Sequence, residues 1–127
     1  MKATFKKSER LCSKKQIAEL FEHGESEFVY PFKLLFHKDS SSTHNGKVQV
    51  LISVPKKHYK KAYQRNRMKR IFREAFRKNK SELILVCKDK RIDLSLAFIL
   101  IAKEPLDYGF VEKKVRELLL RIKNHYE

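Results

Sequence analysis

Gln64-Arg65-Asn66-Arg67-Met68-Lys69-Arg70-Ile71-Phe72-Arg73-Glu74-Ala75-Phe76-Arg77 carries two patterns at once. With about 100° of rotation per residue, Met68, Ile71, Phe72, Ala75 and Phe76 fall on one arc, the spacing of a helix that buries one face. Arg65, Lys69, Arg73 and Arg77 follow at four-residue steps beside that arc, with Asn66 and Arg70 on the same side. The first arc is a packing face and the second a binding face. A charged helix face is ordinarily solvated surface, but such faces mix signs at i, i+4 spacing. Here Glu74 is the only acid between Pro55 and Lys80, against 12 lysines and arginines. Self-repulsion on that scale calls for an external anion.

The residue types narrow the anion. Arginine presents a planar fork that matches phosphate oxygens in pairs and stacks on bases, whereas lysine is a mobile point charge. Asn66 adds an amide that both donates and accepts, suited to the phosphates, 2′-hydroxyls and base edges of folded RNA. The whole chain agrees with this choice: its 127 residues carry a net charge of +15, which draws in polyanions over long range. With 42% hydrophobic residues, a chain of this length is expected to form one domain, 1–127, around one core. No apolar run approaches the roughly 18 residues of a membrane span, and no signal-peptide core stands at the N-terminus. Cys12 and Cys87 are too few for a disulfide framework and lack zinc-ligand spacing. These features read as a cytoplasmic protein with reduced thiols.

The pattern Arg65-Asn66-Arg67-x-Lys69-Arg70-x-x-Arg73-Glu74-x-x-Arg77 resembles the signature helix of the bacterial ribonuclease P protein component family. The similarity extends to Arg10-Leu11, Phe21 and Gly24, and to Val54-x-Lys56-Lys57 followed by Ala62. It spans roughly the whole chain and is strongest from Val50 to Arg77. Two departures stand out. Ile17 sits where the family often has an aromatic, and the approach to Arg65 is one residue longer and lacks the usual glycine.

Along the chain, residues 1–12 place Lys2, Lys6, Lys7 and Arg10 around Phe5 without a period, an irregular basic arm. Ser13 stands three residues before Gln16, a capping-box pattern, and Ile17, Leu20 and Phe21 form a stripe that stops at Gly24. The first helix is therefore expected over 13–23. Phe28 to His37 reads as one strand, with Phe32, Leu34 and Phe36 on one face and Lys33, Leu35 and His37 on the other. Asn45-Gly46 signals a turn, so that Lys47 to Val54 is expected to return as the second arm of a hairpin. The 55–63 loop interleaves Lys56, Lys57, Lys60 and Lys61 with His58, Tyr59 and Tyr63, as an RNA-contacting loop does. The signature helix is expected over 62–79. Residues 80–93 are longer than in typical family members and read as a helical extension, Ser81 to Cys87, followed by a loop. Leu94 to Ala102 is apolar throughout, the mark of a central strand covered on both faces. Phe110, Val111, Val115, Leu118, Leu119 and Ile122 predict a C-terminal helix to about Asn124.

This order predicts an α+β, two-layer domain. The resemblance implies helices packed on a mixed, roughly four-stranded sheet in αβββαβα order with a left-handed crossover, although the general rule for parallel connections favours the right hand. It also implies the site. Arg65, Asn66, Arg67, Lys69, Arg70 and Arg73 would dock on a catalytic RNA subunit. Ile17, Phe21, Lys33, Leu35, Lys56 and Lys57 would line a cleft for the single-stranded 5′ leader of precursor tRNA. Phe21 keeps a second reading, since a phenylalanine at helical spacing is more often core.

The chemistry follows the same division. Hydrolysis by metal ions needs clustered carboxylates, and Glu74 stands alone among cations. His23, His37, His44, His58 and His125 form no acid–base constellation, and His37, Asp39 and His44 lack a familiar metal spacing. No catalytic residue and no metal site is therefore expected in the protein. By the resemblance, Mg2+ belongs to the holoenzyme and is held mainly by the RNA, with precursor tRNA as substrate and no obligate protein partner. Two rival readings are a ribosomal or other structural RNA-binding protein, and a metal-dependent nuclease acting alone.

Overall fold

The computed structural model describes residues 9–39 and 46–127. The basic residues of positions 1–8, His44 and Asn45 of the expected turn lie outside them. Within the described residues the order is α1 (Lys14–His23), β1 (Glu25–Val29), β2 (Phe32–Lys38), β3 (Val48–Ser53), α2 (Ala62–Asn79), α3 (Ser81–Lys90), β4 (Leu94–Leu100) and α4 (Tyr108–Tyr126). The class is α+β, with one four-stranded mixed sheet in the order β1-β2-β4-β3.

Two expectations about the strands need correction. Phe28 to His37 is two strands, because the chain reverses at Tyr30-Pro31 and β1 lies antiparallel on β2, Phe28 opposite Lys33. Proline has no amide proton to give a ladder, so it ends the strand although the alternation runs on through it in the sequence. Nor do β2 and β3 form a hairpin. β4 lies between them, antiparallel to β2 with Leu34 opposite Phe98, and parallel to β3 with Val50 opposite Leu96. A strand apolar on both faces is covered on both where it lies centrally, between the main core and the core under α1, and that placement outranks the turn signal at Gly46. The parallel β3–β4 pair is joined through α2 and α3, a crossover of the length parallel strands require.

One face of the sheet holds the main core. Phe32, Leu34, Phe36, Val48, Val50, Leu94, Leu96, Phe98 and Leu100 meet Met68, Phe72, Ala75 and Phe76 of α2 and Val111, Val115, Leu118, Leu119 and Ile122 of α4. The apolar arc of the signature helix is thus its packing face, with Phe72 against Phe98 at 4.7 Å between ring centres and Phe32 against Phe98 at 5.7 Å. Phe110, expected in the apolar stripe of α4, instead lies toward solvent. α3 is a separate helix that meets α2 at Lys80 and runs on to Lys90, with Leu83 and Cys87 buried one turn apart. Burial pushes the Cys87 thiol up to about 12, so this sulfur stays protonated.

The opposite face carries a smaller core in which Leu11, Leu20 and Ala97 meet Ile17, Leu35 and Leu51. α1 lies over this part of the sheet. Its Ser13 hydroxyl accepts from the Gln16 amide at 3.3 Å, but the Gln16 side chain reaches Asp39 rather than closing the box. Part of the expected irregular arm is pinned: Leu11 N donates to Val50 O at 3.0 Å, and Arg10 bridges to Val50 on the open edge of β3.

Gly46 has φ +74°, and a Cβ there would come within 2.4 Å of Lys88 Cα. Gly46→Ala is expected to cost about 1–3 kcal/mol through strain and this clash. A lower urea midpoint with an unchanged m-value checks it.

Candidate nucleic-acid interface

α2 turns its second arc to solvent. Asn66, Arg67 and Arg70 are exposed, and Lys69 and Arg73 are half-buried beside β3. Glu74, the lone acid, is taken by Arg77 through Nε at 3.1 Å and Nη2, with Lys78 further off at 3.8 Å. The Arg77 guanidinium holds the Glu74 carboxyl below its usual range. Among the described residues, no carboxylate pairs with Arg67, Lys69, Arg70 or Arg73. Lys69 and Arg73 share a groove with Arg10, Leu11, Leu51 and Ile52, which joins the cationic arc to the sheet edge.

Arg65 is placed differently from its neighbours. Its Nη1 donates to the carbonyls of Tyr59 and Lys60 at 2.8 and 3.0 Å, so the guanidinium clamps the preceding loop to the helix. The loop is further fixed by Tyr59, which is buried rather than offered to a partner. Its hydroxyl lies 2.8 Å from the Ala102 and Glu104 carbonyl oxygens, one proton serving both. Burial raises this phenol above its usual range. The ring read as part of the RNA-contacting series is therefore the anchor of that series. Lys56, Lys57, Lys60 and Lys61 remain exposed around it, and Tyr63 is 66% exposed with the Lys61 ammonium 5.9 Å from its ring centre. No side chain caps α2 at Lys61, so the partial positive charge of the helix N-terminus adds to the same surface.

The strand register brings the other candidates together. On the face away from the main core, Leu35, Ala97 and Leu51 form one rank across the sheet, covered by Ile17 and Leu20 of α1. The next rank is Phe28, Lys33, Ile99 and Ser53, exposed at Phe28 and Lys33 and half-buried at Ile99 and Ser53. Phe21 stands 53% exposed on α1, and Phe28 is 56% exposed on β1. Ile17 and Leu35 thus close the floor under α1, Lys33 lies on the open shelf, and Phe21 is on its helical side. Lys56 and Lys57 lie just beyond Ser53, where β3 leaves the sheet. Phe28 was missed in the sequence because a single strand through Tyr30-Pro31 gave it no distinct place. The proline, taken as a turn, would have paired Phe28 with Lys33.

The arrangement combines a row of unpaired cations with an open shelf carrying exposed rings and a lysine. Such surfaces hold nucleic acid by phosphate contacts and stacking. Among the described residues no three His, Cys, Asp or Glu side chains gather as a metal site, and no helix is long and apolar enough to cross a membrane.

Comparison with known proteins gives one answer. The family model described as Ribonuclease P matches residues 5–123. The chain is 37% identical to the ribonuclease P protein component of Porphyromonas gingivalis, covering 94% of this chain and 88% of that protein. It is also 37% identical to that of Chlorobium phaeobacteroides, covering 78% and 69%. Its fold is similar to the RNase P protein of Thermotoga maritima, with a TM-score of 0.68 at 30% identity over 89% of this chain and 96% of that one. The Staphylococcus aureus RNase P protein matches with a TM-score of 0.67 at 22% identity, over 95% and 100%.

Proposed function

The chain belongs to the ribonuclease P protein family, and from that premise we propose that it binds the catalytic RNA subunit through α2 and the 5′ leader of precursor tRNA through the shelf beside α1. The observation that carries this reading is the row Arg67, Lys69, Arg70 and Arg73, which meets no carboxylate among the described residues while Glu74 is consumed by Arg77. A row of that kind is stable on a polyanion and self-repelling without one. Asn66 adds hydrogen bonds to ribose or base edges, and Arg65 acts by holding the loop that presents Lys56 and Lys57.

In this reading the protein supplies no reacting group. Hydrolysis belongs to the RNA, and the magnesium it uses is held mainly by RNA oxygens, since the protein's acids near α2 are already paired with cations. Leader nucleotides lie on the shelf with Phe21 and Phe28 as stacking surfaces and Lys33, Lys56 and Lys57 on their phosphates. Holding the leader distinguishes precursor from mature tRNA, and the cationic surface lowers the repulsion between two RNAs brought together. The work is placed in the cytoplasm, without an obligate protein partner.

The test is cleavage of a leader-bearing precursor tRNA at low magnesium by the protein, the RNA subunit and their mixture. Efficient cleavage by the mixture alone is the expected result. Cleavage by the protein alone would overturn the assignment of chemistry to RNA, and a mixture no better than the RNA would overturn the subunit reading.

A further inference from the structure

The tip between β1 and β2 carries a second set of exposed rings that the shelf does not use. Tyr30 is 51% and Phe110 36% exposed, and the two rings meet edge to face with centres 6.4 Å apart. The Lys114 ammonium stands 5.4 Å from the centre of the Phe110 ring. Phe110 lies in the first turn of α4, on the main-core side of the sheet, while Phe28 faces the other side with Lys33. Among the described residues β1 is an edge strand, with β2 as its one neighbour. Two residues past Phe28 of the shelf, Tyr30 stands in the turn after β1, and its ring leads on to Phe110 and Lys114.

The chemistry of the path selects its occupant. Rings alternating with ammonium groups hold single-stranded nucleic acid, whose bases stack while its phosphates meet the cations. Protein interfaces instead deplete lysine from their centres. We propose that Tyr30, Phe110 and Lys114 form a second station for single-stranded RNA, taking leader nucleotides upstream of those on the shelf after the RNA strand turns over the tip between β1 and β2. The proposal rests on the leader-binding reading above.

The experiment measures affinity of the holoenzyme, assembled with its RNA subunit, for precursor tRNAs whose leaders lengthen one nucleotide at a time. The wild-type protein is expected to gain affinity in two rises, the first as the shelf fills and the second as the strand reaches Tyr30. Phe110→Leu and Lys114→Gln, tested separately so that poor folding of one does not remove the test, should each keep the first rise. The second should shrink, by roughly tenfold for a lost stack. A second rise that survives both substitutions, or a first rise without a second, overturns the station alone. No rise at all would overturn the leader reading itself.

Discussion

Arg67→Ala combined with Arg70→Ala should weaken binding of the catalytic RNA by about a hundredfold while leaving the folded protein as stable as before. Both side chains are exposed on α2, and no described carboxylate holds either. Each lost charge-assisted bond to phosphate is worth about 1.5–3 kcal/mol, so two of them reach the hundredfold level even after partial compensation by Lys69 and Arg73. Salt should reveal the mechanism. The slope of log affinity against log salt should become shallower by roughly 0.7–0.9 for each phosphate no longer neutralised. Thermal unfolding should stay within about 0.5 kcal/mol of the parent, as for other surface substitutions. Arg65→Ala separates the roles. Because Arg65 Nη1 holds the Tyr59 and Lys60 carbonyls, that variant should lose stability as well, by about 1 kcal/mol. Affinity unchanged in the double variant, measured by RNA titration at two salt concentrations, would remove α2 from the interface.

The contrast between Arg65 and Arg67 shows what the sequence made legible. A period of 3.6 is enough to divide α2 into a face for Phe72 and Phe76 and a face for the arginines, because both divisions follow from local geometry. It does not reveal that Arg65 turns back on its own loop, since the carbonyls it meets are set by where Tyr59 is anchored, and Tyr59 is anchored by β4's exit at Ala102. Leu94 to Leu100 announced its central place by being apolar on both faces. Its neighbours were not announced, because register and order depend on long-range pairing that no local signal encodes. The shelf was half legible for the same reason. Lys33 and Leu35 follow from alternation within β2, whereas Phe28 enters only when β1 folds back on it at Tyr30-Pro31. The extension at 80–93 was legible as helical over Ser81 to Cys87, and its extent to Lys90 was not, because Lys88, Asp89 and Lys90 suit a loop and a helix end equally well.

Lys80→Met is expected to cause the largest loss of stability. Lys80 is buried where α2 meets α3, and its ammonium lies 2.7 Å from both carboxylate oxygens of Glu9, with the two side chains only 9% and 15% exposed. Removing the ammonium takes from the buried Glu9 carboxylate its partner at 2.7 Å, at a cost of about 3 kcal/mol. In a domain of this size that corresponds to a melting point lower by roughly 10 °C. The consequence should be local as well as global, because Glu9 precedes the two residues that close the β3 edge. Exchange of the Leu11 amide, held by Val50 O, should quicken more than that of β4. Lys80→Met joined with Glu9→Gln should recover part of the loss, since position 9 then buries no carboxylate charge. That recovery distinguishes a buried ion pair from mere packing of the lysine stem, for which the double variant would be no better than the single. Arg10 and Leu11 also line the groove that holds Lys69 and Arg73, so freeing the segment should weaken RNA binding in the same variant. The double variant should regain affinity in step with the protection it regains at Leu11.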